Sequence, residues 1–367
     1  MTSRGVDALV RPEVLELKRY HLDLSPCEHK LDQNEVPYDL PAALKQRAAD
    51  RIAARSWAVY PDFHADALRA GLGARHGWPA EGVLVGNGSN ELLSTALEAI
   101  VRPSGEVLGT HPSFGLYRMF VLRAAGVPRF LGPRADLRLP IDELLREVER
   151  DPTRPVILCT PNNPTGDAVS ADAVEALLEA LEAPLLLDNA YGEFSRHDYR
   201  PLLARHRHLL LFRTFSKAWS LGGARLGYLL ADPELVGQLI KVKLPYNVGF
   251  ATAFLGEEAL ATPEAAERRV RVILGRRPQW TAMLEELGFS VLPSEANFLL
   301  ARLPEGLEVA PLVDGLEARG IRIRNVSGYP GLSRHVRVSV GSGRALRDVR
   351  DALGEILEQE IVEERER

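Results

Sequence analysis

The chain has 367 residues, of which 46% are hydrophobic and 26% charged, and this composition excludes disordered and fibrous proteins. At roughly 100 to 200 residues per domain, the length predicts two domains, or one large domain with an appendage. The formal charge is -5, from 45 basic and 50 acidic residues, so there is no basic excess of the kind that nucleic-acid-binding proteins show.

The residue counts also bear on location and on lysine chemistry. The two cysteines, Cys27 and Cys159, form no disulfide framework and no zinc-binding pattern, so no metal site is expected. The start of the chain lacks an apolar signal segment and no run of 18 apolar residues occurs, which predicts a cytoplasmic protein with no membrane partner. Only six of the 45 basic residues are lysines, so a lysine inside an informative motif needs a chemical reason.

Residues 1–50 are rich in loops, and from residue 83 to 231 short apolar runs alternate with amphipathic stretches. The predicted strands are 83–85, 106–109, 155–159, 184–187, 208–213 and 225–230, with helices between them, for example 89–101 and 171–181. Apolar strands separated by helices indicate a parallel sheet that is covered on both faces. In such folds the ligand lies beyond the carboxyl ends of the strands.

The pattern changes after residue 231. A helix-rich stretch runs to about residue 287, and strands are predicted near 296–301, 321–324 and 336–340, with helices near 307–319 and 344–360. These elements predict a smaller α/β unit, with which the loop-rich residues 1–50 are expected to pack.

The segment 214–225 follows an apolar strand and is the most informative motif. Lys217 is a candidate for a Schiff base with a carbonyl compound, if its site lowers its pKa. Thr214, Ser216 and Arg225 offer two hydroxyls and a planar donor fork, which suit a phosphate. Taken alone, the motif also fits a surface lysine with a structural arginine nearby.

Further segments also lie at the ends of predicted strands. Asn163 is an amide donor for a ligand oxygen or part of an ordinary turn. Asp188 caps a helix or holds a pyridinium nitrogen protonated. Phe114 is a stacking surface for an aromatic cofactor or a core residue. Ser89 and Asn90 open a helix after a glycine turn, where backbone N–H groups bind phosphate, or Ser89 only caps that helix.

Taken in order, these segments resemble fold-type-I pyridoxal-phosphate enzymes, specifically the class II aminotransferases similar to histidinol-phosphate aminotransferase. The spacings of 25 and 29 positions between Asn163, Asp188 and Lys217 match that family, and the resemblance covers nearly the whole chain. It implies an α/β fold with a mostly parallel seven-stranded sheet between helices and a smaller α/β domain. The implied division is an N-terminal segment (1–50) against the small domain and a partner subunit, a large cofactor domain (51–260) and a small domain (261–367).

The resemblance implies pyridoxal 5′-phosphate as the cofactor. Lys217 would be the Schiff-base lysine and the base that moves the substrate proton, and Asp188 would pair with the pyridine nitrogen. The other implied ligands are Tyr191 and Asn163 at the 3-hydroxyl, Phe114 on the ring, and Ser89, Asn90, Thr214, Ser216, Arg225 and Tyr60 at the phosphate. In the family the tyrosine at the position of Tyr60 reaches across from the partner subunit, which implies a homodimer.

The resemblance also implies a substrate. Arg337 matches the arginine that binds the anionic group of the amino donor, and Arg324 and Tyr20 match positions that contact a substrate phosphate. Asn34 lies in the segment 31–38, which resembles the lining of the family's substrate pocket. The implied reaction of histidine biosynthesis converts L-histidinol phosphate and 2-oxoglutarate into imidazole-acetol phosphate and L-glutamate.

Three positions depart from the family pattern. Asn189 replaces a glutamate, Phe114 a commoner tyrosine, and Val36 an asparagine; the last two are expected to border the pocket and leave side-chain specificity open. An aromatic-amino-acid aminotransferase and a threonine-phosphate decarboxylase therefore remain alternatives. An effector-sensing module of a transcription regulator is disfavoured, because only some fifty residues precede the core.

Overall fold

A computed structural model describes the backbone of residues 6–15, 17 and 25–366, and the side chains of these residues except at 6 and 360–366. Its strands are β1 (His29–Lys30), β2 (Val83–Gly86), β3 (Glu106–Thr110), β4 (Val127–Leu131), β5 (Val156–Cys159), β6 (Leu185–Asp188), β7 (Leu209–Thr214), β8 (Gly227–Leu230), β9 (Ser290–Val291), β10 (Phe298–Arg302), β11 (Ile321–Arg322), β12 (Arg324–Asn325) and β13 (His335–Ser339).

The helices connect and cover these strands. They are α1 (Pro12–Leu15), α2 (Ala42–Ala54), α3 (Asp66–His76), α4 (Ser89–Ile100), α5 (Leu116–Arg123), α6 (Ile141–Arg150), α7 (Ala171–Ala180), α8 (Arg200–Leu203), α9 (Pro233–Leu239), α10 (Phe250–Ala261), α11 (Glu264–Glu286), α12 (Val309–Glu317) and α13 (Gly343–Glu366). Short 3-10 turns lie at Val6–Leu9, Ala80–Gly82 and Gly192–Phe194. Among the residues that the structure describes, no helix is long and apolar enough to cross a membrane.

The large sheet has seven strands in the order β2-β8-β7-β6-β5-β3-β4. The pairs from β7 to β4 are parallel, whereas β8 runs antiparallel to both of its neighbours. Strand β2 therefore points the same way as β7. The α/β fold with a mostly parallel seven-stranded sheet is confirmed.

Both faces of the large sheet are buried. Along β7, Leu209 and Leu211 belong to one hydrophobic cluster, while Leu210 and Phe212 belong to another on the opposite face. Alternate side chains of a strand point to opposite faces, so a strand with an apolar layer on each side must be apolar throughout. This is why the sequence of β7 is a continuous apolar run and why its polar residues come only at its carboxyl end.

The smaller sheet lies in the C-terminal part and has the order β12-β13-β10-β9, all antiparallel. Strand β1 pairs in parallel with β11, with His29 opposite Ile321. This pairing ties residues 29–30 to the C-terminal part and brings the following loop, 31–34, towards the large sheet.

Most predicted strands occur within a residue or two of their expected bounds. The two-residue strands β1 and β9 were not predicted. Strand β4 was not predicted either, because it is a partly exposed edge strand that contains Pro128. Strand β8 begins at Gly227 rather than at Arg225, whose φ of 53° lies in the left-handed region. The predicted strand 321–324 is split at Ile323 into β11 and β12, which belong to different sheets.

Candidate active site

The loops that follow the parallel strands enclose a cavity of about 230 Å³ at the carboxyl edge of the large sheet. The small sheet and the loop after β1 close it from the other side. Its lining comprises Asp32, Gln33, Asn34, Ser89, Asn90, Phe114, Gly115, Leu116, Cys159, Asn163, Asp188, Ala190, Tyr191, Thr214, Ser216, Lys217, Arg225, Arg324, Tyr329 and Arg337. Motifs that lie far apart in the sequence thus share one cavity.

One end of the cavity is formed by the first turn of α4. The first N–H groups of a helix have no intrahelical partners, and Gly88, which precedes α4 with a φ of 80°, supplies no side chain to cap them. A Cβ atom at Gly227 of β8 would lie 2.3 Å from the backbone nitrogen of Ser89. The absence of a side chain at Gly227 therefore lets this turn and β8 approach closely, and the helix presents a positive end to the cavity.

Arg225 and two hydroxyl residues complete that end. The Nη1 atom of Arg225 donates to Ser216 Oγ at 3.2 Å and to the carbonyl oxygen of Gly222 at 3.0 Å. Thr214 Oγ1 accepts from the backbone N–H of Ser216 at 3.1 Å. A Cβ atom at Gly88 would lie 2.6 Å from Arg225 Nη2, so the guanidinium lies against the helix start. These donors converge as an anion would require.

Lys217 lines the cavity and lies in the loop after β7. Its Nζ atom donates to the carbonyl oxygen of Gln33 at 2.7 Å and lies 5.8 Å from the centroid of the Tyr191 ring. Burial, followed by the positive charge of Arg337, lowers the pKa of Lys217 to about 7. A substantial fraction of this amine is therefore uncharged, and nucleophilic, near neutral pH.

Asp188 ends β6 and is 4% exposed. Its Oδ2 atom accepts a hydrogen bond from Tyr117 OH at 2.6 Å, and Oδ1 accepts from the backbone N–H of Ala190 at 3.1 Å. Burial raises the pKa of Asp188, while these two donors and the charge of Lys217 act in the opposite direction. The site thus holds a buried carboxyl group with hydrogen-bond donors on both oxygens.

Polar and aromatic groups line the cavity between Lys217 and Asp188. Tyr191 OH accepts from Asn34 Nδ2 at 2.9 Å, and burial raises the pKa of Tyr191, which keeps its hydroxyl protonated. Asn163 Oδ1 accepts from Arg337 Nη1 at 2.5 Å. Phe114 lines the same cavity and contacts Tyr117 edge to face, with ring centroids 5.5 Å apart.

Two arginines enter from the small sheet. Arg324 of β12 and Arg337 of β13 are directly opposite each other in an antiparallel pair, so their side chains share one face. Arg337 is 7% exposed and also donates to the carbonyl oxygen of Asp32. Its Nε atom is buried without a hydrogen-bond partner among the described residues.

The structure brings together thirteen of the fifteen predicted site residues, since all except Tyr20 and Tyr60 line this cavity. Tyr20 lies outside the described residues. Tyr60 is 74% exposed, does not line the cavity, and stacks on Tyr246 with ring centroids 4.7 Å apart. Val36, which was expected to border the pocket, lines a neighbouring cavity of about 590 Å³ instead, because the chain turns away after Asn34.

Asn189 has a structural environment that explains its amide. Its Nδ2 atom donates to the carbonyl oxygen of Thr160 at 2.6 Å, and its Oδ1 atom accepts from Arg213 Nη1 at 3.0 Å. Arg213 in turn pairs with Glu193 at 2.9 Å. A carboxylate at position 189 could not donate to Thr160, so the departure from glutamate is matched by its neighbours.

Two tyrosines at or beside the cavity were not among the site residues predicted from sequence. Tyr117 contacts Asp188, and Tyr329, between β12 and β13, closes the cavity from the small-sheet side. A Cβ atom at Gly115 would lie 3.1 Å from Tyr329 OH. The one available signal for Tyr117 was its position three residues after Phe114, one helical turn away.

A family model described as Aminotransferase class I and II matches residues 28–356 of the chain. The chain belongs to the class I and II aminotransferase family. This aminotransferase is 35% identical to a histidinol-phosphate aminotransferase of Deinococcus radiodurans over 340 residues, which cover 91% of this chain and 92% of that protein. It is also 35% identical to histidinol-phosphate aminotransferase 1 of Carboxydothermus hydrogenoformans, over 93% of this chain and 97% of that protein.

The fold of the aminotransferase is also similar to that of a solved histidinol-phosphate aminotransferase. It superimposes on a crystal structure of histidinol-phosphate aminotransferase from Sinorhizobium meliloti in complex with pyridoxal-5′-phosphate with a TM-score of 0.86. The match covers 98% of this chain and 100% of the other at 23% identity, and it supports the assignment of the fold. The enzyme is a transaminase.

The cofactor of this aminotransferase family is pyridoxal 5′-phosphate, and the cavity fits that group. Its phosphate requires convergent donors, which the start of α4 and Arg225 provide. Its aldehyde requires an uncharged amine, and Lys217 alone among the described lysines lines the cavity. Its pyridine nitrogen requires a carboxylate, which is present at Asp188.

Proposed function

We propose that this aminotransferase transfers the amino group of L-histidinol phosphate to 2-oxoglutarate, forming imidazole-acetol phosphate and L-glutamate in histidine biosynthesis. Two relatives are named histidinol-phosphate aminotransferases, and the similarity covers nearly the whole length of each. The observation that carries the proposal is the pair of arginines, Arg324 and Arg337, that faces the same cavity as Lys217.

The arginine pair suits an anion with two negative charges. Like charges directly opposite each other on an antiparallel pair destabilise the strands unless a counter-charge lies between them. Burial lowers the pKa of Arg337, and the charge of Arg324 acts in the same direction. A substrate phosphate in one half-reaction, and a carboxylate in the other, would relieve this repulsion through paired hydrogen bonds.

The predicted site residues of the cavity have distinct roles in the proposed reaction. Pyridoxal phosphate, when bound, supplies the aldehyde that carries the amino group and the electron sink that stabilises the deprotonated substrate carbon. Lys217 would hold the cofactor through its amine and would move the proton at the substrate carbon. Asp188 holds the pyridine nitrogen protonated. Tyr191 and Asn163 orient the 3-hydroxyl, and Phe114 packs on the ring.

The remaining ligands bind the phosphate of the cofactor or the substrate. The backbone of Ser89 and Asn90, together with Thr214, Ser216 and Arg225, holds the cofactor phosphate. Asn34 would position Tyr191 beside the substrate, and we propose for Tyr20 the role in binding the substrate phosphate that the family resemblance implies. The hydrogen bond of Asn34 to Tyr191 and the contact of Arg225 with Ser216 support these roles.

We further propose a homodimer in which Tyr60 reaches the cofactor phosphate of the partner subunit. Tyr60 forms an exposed aromatic cluster with Phe63 and Tyr246. Leu244, two residues before Tyr246, is 73% exposed. Exposed apolar groups of this size that lie together mark a protein interface. The cluster is therefore the face that a second copy would cover.

The division into an N-terminal segment (1–50), a large domain (51–260) and a small domain (261–367) also remains our proposal. The large sheet lies between residues 83 and 230, and the small sheet between 290 and 339. The second boundary falls just before the last residue of α10, whereas the first falls inside α2. The two cysteines are unpaired, which supports a location in the reducing cytoplasm.

A half-reaction panel tests the substrate. Cofactor-loaded protein is mixed separately with histidinol phosphate, threonine phosphate and phenylalanine, and the cofactor absorbance and products are followed. Conversion with histidinol phosphate to imidazole-acetol phosphate is expected. Release of carbon dioxide from threonine phosphate would identify a decarboxylase instead, and conversion with phenylalanine alone an aromatic aminotransferase.

A pair of variants tests the arginines in the same assay. Arg324→Gln should raise the KM for histidinol phosphate roughly tenfold or more, because a charge-assisted hydrogen bond is lost. The matched control is Arg302→Gln, in β10 of the same sheet, which is exposed and does not line the cavity. Equal effects of the two substitutions would contradict a role of Arg324 in binding the phosphate.

A further inference from the structure

Tyr117 lies behind the carboxyl group of Asp188. It belongs to the first turn of α5, is 2% exposed, and its ring packs in the hydrophobic cluster on one face of the large sheet. Its hydroxyl donates to Asp188 Oδ2 at 2.6 Å. A phenylalanine would fill the same apolar space, so the packing accounts for the ring but not for the hydroxyl.

We propose that Tyr117 is a positioning residue for the cofactor, whose hydroxyl keeps the carboxylate of Asp188 charged and oriented towards the pyridine nitrogen. The inference rests on the proposed role of Asp188. It adds a residue that lies outside the cavity lining and reaches the cofactor only through another side chain.

The need for this hydrogen bond follows from the burial of Asp188. A buried carboxylate is costly unless donors compensate for the lost water, and burial raises the pKa of Asp188. Two donors are present, the hydroxyl of Tyr117 and the backbone N–H of Ala190. Without Tyr117, Oδ2 would lose its donor, and the proton shared with the pyridine nitrogen would shift towards Asp188.

The other titratable groups around Asp188 do not replace this donor. Cys159 and Tyr191 lie in the same buried cluster, and burial raises the pKa of each, so both stay protonated. The Sγ atom of Cys159 donates to the carbonyl oxygen of Pro161, and Tyr191 OH accepts from Asn34. Lys217 supplies charge at a distance but donates to Gln33. Burial, and then the charge of Asp188, raise the pKa of Tyr117 itself, so its proton is retained for donation.

The variant Tyr117→Phe tests the proposal on protein loaded with pyridoxal phosphate. The dissociation constant of the cofactor should rise roughly tenfold or more, because a hydrogen bond to a charged group is lost. The pH midpoint of the cofactor absorbance band should move upward, since the ring loses a positive charge close to its link with Lys217. Thermal unfolding of the apoprotein shows whether the variant is folded.

The matched control is Tyr199→Phe. Tyr199 is also buried, and its hydroxyl is bonded to Val169 and Thr160 rather than to Asp188. This control should leave the pH midpoint unchanged. Equal midpoints in the wild type and in Tyr117→Phe would overturn the proposal, whatever the change in stability.

A double variant separates an effect through Asp188 from a general one. In an Asp188→Asn background, Tyr117→Phe should have no further effect on cofactor affinity or on the pH midpoint, because the interacting partner is gone. An undiminished effect there would overturn the inference. If the wild type binds no pyridoxal phosphate, the proposed function fails. If the wild type binds it and Tyr117→Phe behaves like Tyr199→Phe, only the inference about Tyr117 fails.

Discussion

The ammonium group of a lysine loses its proton more readily when it is buried beside arginines than when it is in water. Lys217 is in that position, and its neighbour Arg337 makes the second largest contribution after burial. In the proposed function the same arginine binds the substrate anion. One guanidinium would then both lower the pKa of Lys217 and hold the substrate, which would link the protonation of Lys217 to occupancy of the anion site.

This link predicts the pH dependence of cofactor attachment. A base whose pKa is lowered to about 7 is uncharged above that pH, so the rate at which apoprotein takes up pyridoxal phosphate should rise through about pH 7 and then level off. Stopped-flow absorbance measures this rate. A rate that rises towards the ordinary lysine pKa of 10.5 without levelling would contradict the assignment.

Two variants sharpen the measurement. Lys217→Ala should remain folded but show neither the absorbance band nor turnover. Arg337→Gln should move the midpoint of attachment to higher pH, because one positive charge no longer repels the ammonium form. The exposed Arg134→Gln should leave the midpoint where it is, since Arg134 pairs with Asp136 at the surface.

The residues easiest to predict from sequence are those whose chemistry requires one residue type at the carboxyl end of a strand. Lys217 and Asp188 satisfy both conditions, and each lies in the cavity as expected. Tyr117 satisfies neither, because a tyrosine in a helix is as common in a core as beside a carboxylate. Its role depends on the distance between α5 and β6, which no local pattern encodes.

Among the elements, β2 and β8 are the ones that shape the phosphate end of the cavity. The antiparallel β8 lies between β2 and β7, so that the loops after β2 and β7 lie at the same edge. Gly227 starts β8 where the backbone of Ser89 passes closest. The apolar run predicted the strand, but the start at Gly227 follows from this close approach and from the left-handed conformation of Arg225.

Gly227→Ala is expected to separate β8 from the start of α4. Its Cβ atom would lie 2.3 Å from Ser89 N and 2.8 Å from Gly88 Cα, both backbone atoms that cannot rotate away. We expect a loss of about 1–3 kcal/mol in the free energy of unfolding and weaker cofactor binding. Denaturant unfolding of the apoprotein and cofactor titration measure the two effects.

Gly237→Ala provides the control for this substitution. Gly237 lies in α9, and a Cβ atom there would have no neighbour within 4 Å. Alanine in a helix is favoured over glycine by up to about 1 kcal/mol, so this variant should be as stable as the wild type or more so. Equal loss in both variants would show that the contact with Ser89 is not the cause.

At the scale of the whole molecule, the exposed aromatic cluster of Tyr60, Phe63 and Tyr246 predicts association. Leu244→Asp should shift the proposed homodimer to monomer, because a charge would be buried in its apolar interface. Sedimentation velocity measures the change. Val127→Asp, on the edge strand β4 and 45% exposed, is the matched control and should remain dimeric.

Shared sites can be tested by mixing two inactive subunits. A purified heterodimer of Lys217→Ala and Tyr60→Ala contains one site with both residues intact if Tyr60 acts across the interface. Its activity should be about half that of the wild type, since one of two sites functions. A heterodimer no more active than the Tyr60→Ala homodimer would place Tyr60 in its own subunit's site.

The two ends of the cavity differ in what they are made of. The end proposed to hold the cofactor phosphate combines main-chain groups at the start of α4, glycines that leave no room for a side chain, and Arg225, whereas the end proposed to hold the substrate depends on the side chains of Arg324 and Tyr329. Arg337 donates a hydrogen bond to Asn163, whereas Arg324 and Tyr329 take no part in that bond. We therefore expect substitutions at positions 324 and 329 to change substrate preference while cofactor binding is retained, so these two positions suit a library of variants that is selected for new amino donors.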